Sequence, residues 1–193
     1  MQKKRIQNRI AESRWTQAWV VSAAMLVWIV AGLHNLTVVA PGVCLLLATY
    51  LMMELNNANA LIRIYSRMVS CSFIVLATMA VFMFPSIRSS IVMLGMVGFY
   101  ILSFRCYQDT NAPGWTFYAY FCIGMASVVW VQVLYFLPIL WVISRTNLLS
   151  LSGKSFVSSL LGITLPYWFY APYLAAKGEI SLLAKHFLQL GVF

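Results

Sequence analysis

Apolar blocks of roughly bilayer-spanning length, separated by short polar breaks, dominate this sequence. A helix of about 17 to 25 apolar residues crosses the hydrocarbon core of a bilayer, and the blocks lie near the lower end of that range. Only 9% of the residues are charged, against roughly 25% in a soluble domain, so they could not cover a water-facing surface. The blocks do not alternate with a period of two, which disfavours a membrane β-barrel. The pattern predicts an all-α protein, a polytopic transmembrane helical bundle.

Six or seven short spans are expected between two terminal segments. Residues 1–17 form a basic cytoplasmic or interfacial segment, residues 18–175 the transmembrane helical domain, and residues 176–193 an interfacial amphipathic tail. Residues 115–143 are long for one span and short for two, and a break near Gln132 and Pro138 favours spans at 115–130 and 134–143. The remaining apolar blocks are residues 18–32, 36–53, 68–84, 89–104 and 155–174.

Small residues inside the blocks predict where helices touch. Gly95 and Gly98 favour close contact in one block, and Ser158 with Gly162 forms a small-xxx-small pair in another. Pro41 falls early in its helix, where the missing N–H costs least.

The distribution of basic residues predicts a cytoplasmic N-terminus. With seven spans, ten of the thirteen Lys and Arg lie on the cytoplasmic side, and Arg88, Lys177 and Lys185 lie outside. With six spans, Arg145 and Lys154 exchange sides with Lys177 and Lys185, and the bias is unchanged. Charge therefore orients the chain but does not distinguish six spans from seven.

The net charge of +9 does not indicate nucleic-acid binding, because the cations sit mainly at the ends of apolar blocks. Cofactors and metal sites are not expected, because the four cysteines are scattered and form no CxxC pair. We interpret them as free thiols that pack as small apolar groups. The cysteines are Cys44, Cys71, Cys106 and Cys122.

One polar segment, residues 54–67, is the candidate functional site. Its residues, together with an acid predicted to share the cytoplasmic side, are Glu54, Asn56, Asn57, Asn59, Arg63, Tyr65, Arg67 and Asp109. In a helix at the membrane interface, Asn56, Asn59 and Arg63 would share one face and could bind a lipid headgroup, a phosphate or a partner. The alternative is an ordinary interfacial loop whose arginines anchor the topology.

Catalytic residues are not identified in the sequence, and an enzyme is disfavoured without being excluded. The only acids are Glu12, Glu54, Asp109 and Glu179, and none lies in the middle of a predicted span. Carboxylate catalysis normally needs two acids that converge. His34 is predicted to lie on the opposite side of the membrane from most candidate serines.

Spacing and a few Gly, Pro and Arg positions carry a resemblance. An Asn-rich segment precedes a span that ends in Phe84-Pro85, a pair of short spans closes on Arg145, and the last span carries residues 160–167, LLGITLPY. Over residues 50–175 the chain resembles an uncharacterised family of polytopic inner-membrane proteins from Bacteroidetes, a domain of unknown function. The resemblance implies a bacterial inner membrane and brings no catalytic residue.

These observations lead to one expected function and two alternatives. The expected function is that of a multi-spanning inner-membrane protein without a catalytic site, a component of an envelope assembly or transport system. Its expected partners are the lipid bilayer and other membrane proteins. The alternatives are a small-molecule-binding membrane subunit of a transporter and a membrane enzyme that acts on a lipid-linked substrate.

Overall fold

The computed structural model describes residues 13, 15–30, 38–59, 68–80 and 86–191. Of these residues 85% are helical, and they contain no β-strand, so the all-α prediction is confirmed. The chain divides into two compact units, Met1–Ser90 and Ile91–Phe193, each described by itself. The α-helices of the described ranges are α1 (Thr16–Val30), α2 (Val39–Asn59), α3 (Met68–Met79), α4 (Ile87–Phe104), α5 (Pro113–Val129), α6 (Leu137–Thr146), α7 (Gly153–Ala176) and α8 (Ser181–Leu188). The 3₁₀ segments are Val131–Phe136 and Gln189–Gly191.

The first unit is built on α3. Helices α1 and α2 each pack against α3, and Ala24, Leu45 and Ile74 are buried there. Pro41 lies in the first turn of α2, as predicted. Helix α2 continues to Asn59, beyond the predicted end of its apolar block at residue 53. It can do so because residues 54–59 contain neither Gly nor Pro, and buried Leu55 gives this part an apolar contact face.

The core of the second unit lies where α5 meets its neighbours. Phe99 of α4 and Tyr120 of α5 pack edge to face with ring centroids 5.2 Å apart. A contiguous set of buried apolar side chains surrounds them. It comprises Phe99, Ala119, Tyr120, Ile123, Ala126, Val133, Leu140 and Ile163.

Glycines allow the helices of this unit to approach closely. A Cβ on Gly162 of α7 would lie 2.5 Å from the Phe117 carbonyl oxygen of α5. A Cβ on Gly95 would lie 3.0 Å from the Ala126 Cβ, and one on Gly98 would lie 3.4 Å from the Cys122 Sγ. The predicted contacts at Gly95, Gly98 and Gly162 are thus confirmed.

Helices α5 and α7 run parallel, side by side. Ser158 Oγ near the start of α7 donates to the Pro113 carbonyl at the start of α5, at 2.6 Å. Farther along both helices, the Tyr167 hydroxyl donates to Ser127 Oγ at 2.8 Å. Because α5 and α7 are parallel, the chain between them must run back to the end of the unit at which α5 begins.

The returning segment is residues 131–146. Helix α5 stops at Val129 because Trp130 is extended, with φ −146° and ψ 100°. A 3₁₀ segment follows, and α6 carries Pro138 in its first turn, where proline fits a helix. The predicted division of residues 115–143 into two helical pieces is confirmed, with the break at Trp130 rather than Gln132. The returning segment is about 27 Å long by the rise per residue of its 3₁₀ and α-helical parts.

Among the described residues, two helices are long and apolar enough to cross a membrane, α2 and α4. Helices α1 and α3 and the segment Val131–Thr146 are apolar but shorter. All eight α-helices expose large apolar side chains. Soluble monomers rarely expose apolar patches beyond a few hundred Å², so this surface indicates association with a membrane.

Candidate functional site

The described part of the predicted polar segment forms the last turns of α2. Glu54 and Asn57 are exposed, whereas Asn56 is 5% exposed. The Asn59 side-chain amide donates to the Leu55 carbonyl at 2.9 Å, a bond within its own helix. These residues therefore differ in orientation and do not present one continuous amide face. Arg63, Tyr65 and Arg67 lie outside the described residues.

Asp109, the remaining predicted site residue, lies in the second unit and has a structural role. Its Oδ1 accepts a hydrogen bond from the Asn111 backbone N–H at 2.8 Å, which closes a tight turn. Arg105 and Asp109 are four residues apart, a spacing that would bring them together on a helix. Because α4 ends at Phe104, they do not share a helix, and helical spacing does not pair them. The Arg105 guanidinium instead stacks over the Trp115 ring, 4.7 Å from its centroid.

Residues 105–112 and 147–152 form a pair of joined loops, here called the paired loops. The Gln108 N–H donates to the Leu148 carbonyl at 2.8 Å, and Ser152 Oγ donates to the Thr110 carbonyl at 3.0 Å. Gln108 and Leu149 have positive φ angles of 58° and 51°. For non-glycine residues this conformation costs about 1–2 kcal/mol each. The bonds between the loops hold that conformation in place and fix the shape of this end of the unit.

The paired loops and the helix ends beside them carry a basic surface. Arg105, Arg145 and Lys154 are exposed there, with Asp109 as the one acid among the described residues of this end. Arg145 lies in the last turn of α6, where a cation interacts favourably with the helix dipole. Lys154 lies in the first turn of α7, where the dipole disfavours a cation. We call Arg105, Arg145 and Lys154 the basic loop surface.

At the opposite end of the second unit, a buried serine holds the C-terminal tail. Ser127 is 0% exposed, its Oγ donates to the Gly124 carbonyl at 2.7 Å, and it accepts the bond from Tyr167. The His186 Nε2 of α8 lies 2.9 Å from the Ser127 carbonyl oxygen. The Tyr135 hydroxyl donates to the Leu190 carbonyl and fixes the tail a second time.

This cluster brings together Ser, Tyr and His, but not in a catalytic arrangement. A nucleophile and its base share a hydrogen bond between the hydroxyl and the imidazole. Here His186 contacts the backbone carbonyl of Ser127, and the hydroxyl is buried and bonded to other groups. Sequence reasoning placed His186 only in an interfacial tail and missed its contact with Ser127. His34 lies outside the described residues.

The polar groups within the second unit mostly satisfy one another. Tyr120 and Ser144 share a buried hydrogen bond of 3.2 Å between their hydroxyls. The Trp141 indole N–H donates to Ser159 Oγ at 3.0 Å. No group of three or more His, Cys, Asp or Glu side chains converges within the described ranges. The arrangement is that of a packed scaffold with one fixed, basic end.

Comparisons with known protein families, with curated proteins and with solved structures find no match for this chain. The resemblance to the inner-membrane family of Bacteroidetes therefore stays a prediction.

Proposed function

We propose that this protein is a multi-spanning inner-membrane protein that acts, without catalysis, as a component of an envelope assembly or transport system. The observation that carries the proposal is the large apolar surface on all eight α-helices, combined with a basic end fixed by the paired loops. A membrane covers the apolar surface, and the basic end is available to a partner.

Seven spans with the N-terminus in the cytoplasm fit this proposal best. The segment Val131–Thr146 returns to the end of the second unit at which α5 begins, because Gln108 bonds Leu148. If α5 crosses the bilayer, this segment crosses back. Its length of about 27 Å is close to the ~30 Å hydrocarbon core. Arg105, Arg145 and Lys154 then all face the cytoplasm, as the positive-inside rule favours.

The basic loop surface is the proposed contact with an acidic segment of a partner protein. Its loops are held in one conformation, so little ordering is needed when a partner binds. The positive-inside rule favours cations at this end of the unit but does not fix the positions that they occupy. Lys154 nevertheless lies in the first turn of α7, where the helix dipole disfavours a cation. A partner carboxylate would compensate for that unfavourable position.

A cavity in the first unit favours a second candidate function, a small-molecule-binding membrane subunit. It has a volume of about 410 Å³, and α1, α2 and Ile74 of α3 line it. Ligand sites commonly have volumes of about 300–1,000 Å³. The second candidate differs from the first in needing a bound molecule rather than a bound protein.

Single cysteines test the proposed topology. In a variant without native cysteines, Asn111→Cys and Asn147→Cys report on the two paired loops, and Glu179→Cys reports on the far end of α7. With seven spans, an impermeant maleimide labels only Glu179→Cys in intact spheroplasts, and the loop positions only after lysis. External labelling of Asn147→Cys without Glu179→Cys would establish six spans. Release of the protein by alkaline carbonate would refute membrane insertion.

Purification with the native partner tests the proposed role. Replacing Arg105, Arg145 and Lys154 with glutamine is expected to remove a stoichiometric partner that co-purifies with the wild type. Lys177→Gln, a change of one charge at the other end of the unit, is the control and retains the partner. Wild-type protein that purifies without any stoichiometric protein would overturn the assembly role.

A further inference from the structure

The cavity in the first unit results from the way α1 and α2 pack. Both helices contact α3, and they are held together mainly through it rather than through each other. Ile74 of α3 forms the floor of the space between them. The lining on α1 extends from Gln17 in the first turn to Trp28 in the last. These residues are about 17 Å apart along the helix axis, so the space is a groove parallel to the helices.

The walls of the groove suit a hydrocarbon chain. None of the lining residues is charged, and most are aliphatic. Thr49 is the polar residue in the middle of α2, and its hydroxyl already donates to the Leu45 carbonyl at 2.8 Å. A ligand with polar groups along its length would lose hydrogen bonds to water and gain few in return. An apolar chain in the groove would recover the dispersion contacts that an empty space lacks.

Gly42 of α2 leaves one side of the groove open. A Cβ built there meets no atom within 4 Å, although Gly42 lines the cavity. Helix packing within the unit therefore does not require a glycine at this position. The missing side chain widens the groove, which is what a chain lying along α2 would need.

The polar end of the groove indicates the headgroup. Gln17 lies in the first turn of α1, and the sequence directly before it is strongly basic, with one acid at Glu12. Those cations are Lys3, Lys4, Arg5, Arg9 and Arg14. The sequence that leads into this end of the groove therefore carries an excess of positive charge, which favours an anion.

We propose that the groove between α1 and α2 binds one acyl chain of an anionic phospholipid. The proposal rests on the membrane location proposed above, and it gives the cavity a specific occupant. The lipid fills the space between α1 and α2 and so forms part of the folded first unit. It is retained when the loosely bound lipids around the protein are washed away.

Gly42→Phe tests the proposal by filling the groove. Gly114→Phe is a matched control, because Gly114 also follows a proline in the first turn of its helix and its Cβ also meets no atom within 4 Å. Full-length protein is purified in mild detergent from membranes that contain phosphatidylglycerol, and bound lipid is counted by native mass spectrometry. Wild type and Gly114→Phe are expected to retain one phosphatidylglycerol per chain. Gly42→Phe should retain about a tenth of that or less, the factor that losing burial of two methylenes gives.

Lipid bound equally to wild type and Gly42→Phe, or wild type without lipid, would overturn the proposal. A measurement on the wild type alone covers the case in which Gly42→Phe does not fold. In nanodiscs, phosphatidylglycerol with a photoreactive acyl chain should crosslink to Leu46, which lines the groove, in preference to Leu47, which is exposed outside it. Equal crosslinking would show annular lipid only. Preference for phosphatidylcholine over phosphatidylglycerol would refute the anionic headgroup. Release of the protein by alkaline carbonate would instead refute the membrane location.

Discussion

Gly162→Ala should destabilise the second unit, because it forces apart two helices that touch through their backbones. The new Cβ would lie 2.5 Å from the Phe117 carbonyl oxygen and 3.1 Å from the Phe121 nitrogen. Carbon atoms in ordinary contact are about 3.5–4.0 Å apart. Both neighbours are backbone atoms, so neither can rotate away, and α7 must move as a whole.

The size of the effect follows from two opposing contributions. Overpacking a well-packed interior costs about 1–3 kcal/mol, and a clash with backbone belongs at the upper end. Alanine regains up to about 1 kcal/mol because it favours the helix more than glycine does. The expected net loss is about 2 kcal/mol of unfolding free energy, which lowers Tm by about 4–8 °C for a chain of this size.

Scanning fluorimetry of the detergent-purified protein, with size-exclusion chromatography to confirm a single folded species, measures this shift. Gly153→Ala is the control in the same helix, because a Cβ on Gly153 meets nothing within 4 Å. Its Tm should equal or slightly exceed that of the wild type. A Gly162→Ala protein that melts with the wild type, or a Gly153→Ala protein that loses as much, would refute the close contact of α5 with α7.

Two further predictions concern the ends of the second unit. Burial raises the pKa of the Cys106 thiol, the hydroxyl of Thr116 opposes this rise through a hydrogen bond, and the charge of Asp109 adds to it. Cys106 should therefore react with iodoacetamide more slowly at neutral pH than Asn111→Cys. The rate should increase with pH and decrease further in Thr116→Val; a rate equal to that of the exposed cysteine would contradict the burial. The protonated thiol is favoured by folding, so its contribution to stability is present below the unfolded pKa of about 8.5 and is lost as pH rises through the folded pKa. At the opposite end, Tyr167→Phe removes the hydrogen bond to Ser127 and should cost about 1 kcal/mol. Loosening of α8 should then accelerate trypsin cleavage at Lys185. The control is Tyr173→Phe, because the exposed Tyr173 ring contacts Lys177 instead. Equal cleavage of the two variants would show that the Tyr167–Ser127 hydrogen bond does not hold the tail in place.

The elements of this fold were largely predictable because their signals are local. Polar breaks and Pro138 located the division of residues 115–143, and small residues located the contacts at Gly95 and Gly162. Each signal needs only a few neighbouring residues: a proline restricts its own turn, and a glycine allows close approach at its own position.

The candidate site was harder to predict because its contacts join distant residues. His186 meets Ser127 across 59 positions, and Ser152 reaches Thr110 across 42. Neither pairing has a local sequence signature. For Asn59 the sequence signal was local but misleading, because a cluster of neighbouring polar residues suggested a shared binding site. Its amide is instead bonded within its own helix, as short polar side chains near the backbone often are.

The groove was invisible to sequence reasoning for a different reason. Inside a bilayer, lipid tails are as apolar as leucine, so hydropathy does not distinguish a helix face that packs on protein from one that packs on lipid. Leu45 and Leu46 are neighbours in the sequence and chemically identical. Leu45 is 3% exposed, and Leu46 is 63% exposed. Both line the groove, and only the arrangement of α1 and α2 on α3 buries Leu45 and leaves Leu46 exposed.

The paired loops bear on the number of spans in a way that hydropathy cannot. Hydropathy treats residues 115–143 as one long apolar stretch or two short ones, and charge counting accepts both. The bond from Gln108 to Leu148 joins the chain before α5 to the chain after α6. A single crossing would place those loops on opposite sides of the bilayer, about 30 Å apart. Helix α5 and the segment Val131–Thr146 therefore cross together or not at all, and the number of spans is odd if α1, α2, α3, α4 and α7 each cross once and α8 does not cross.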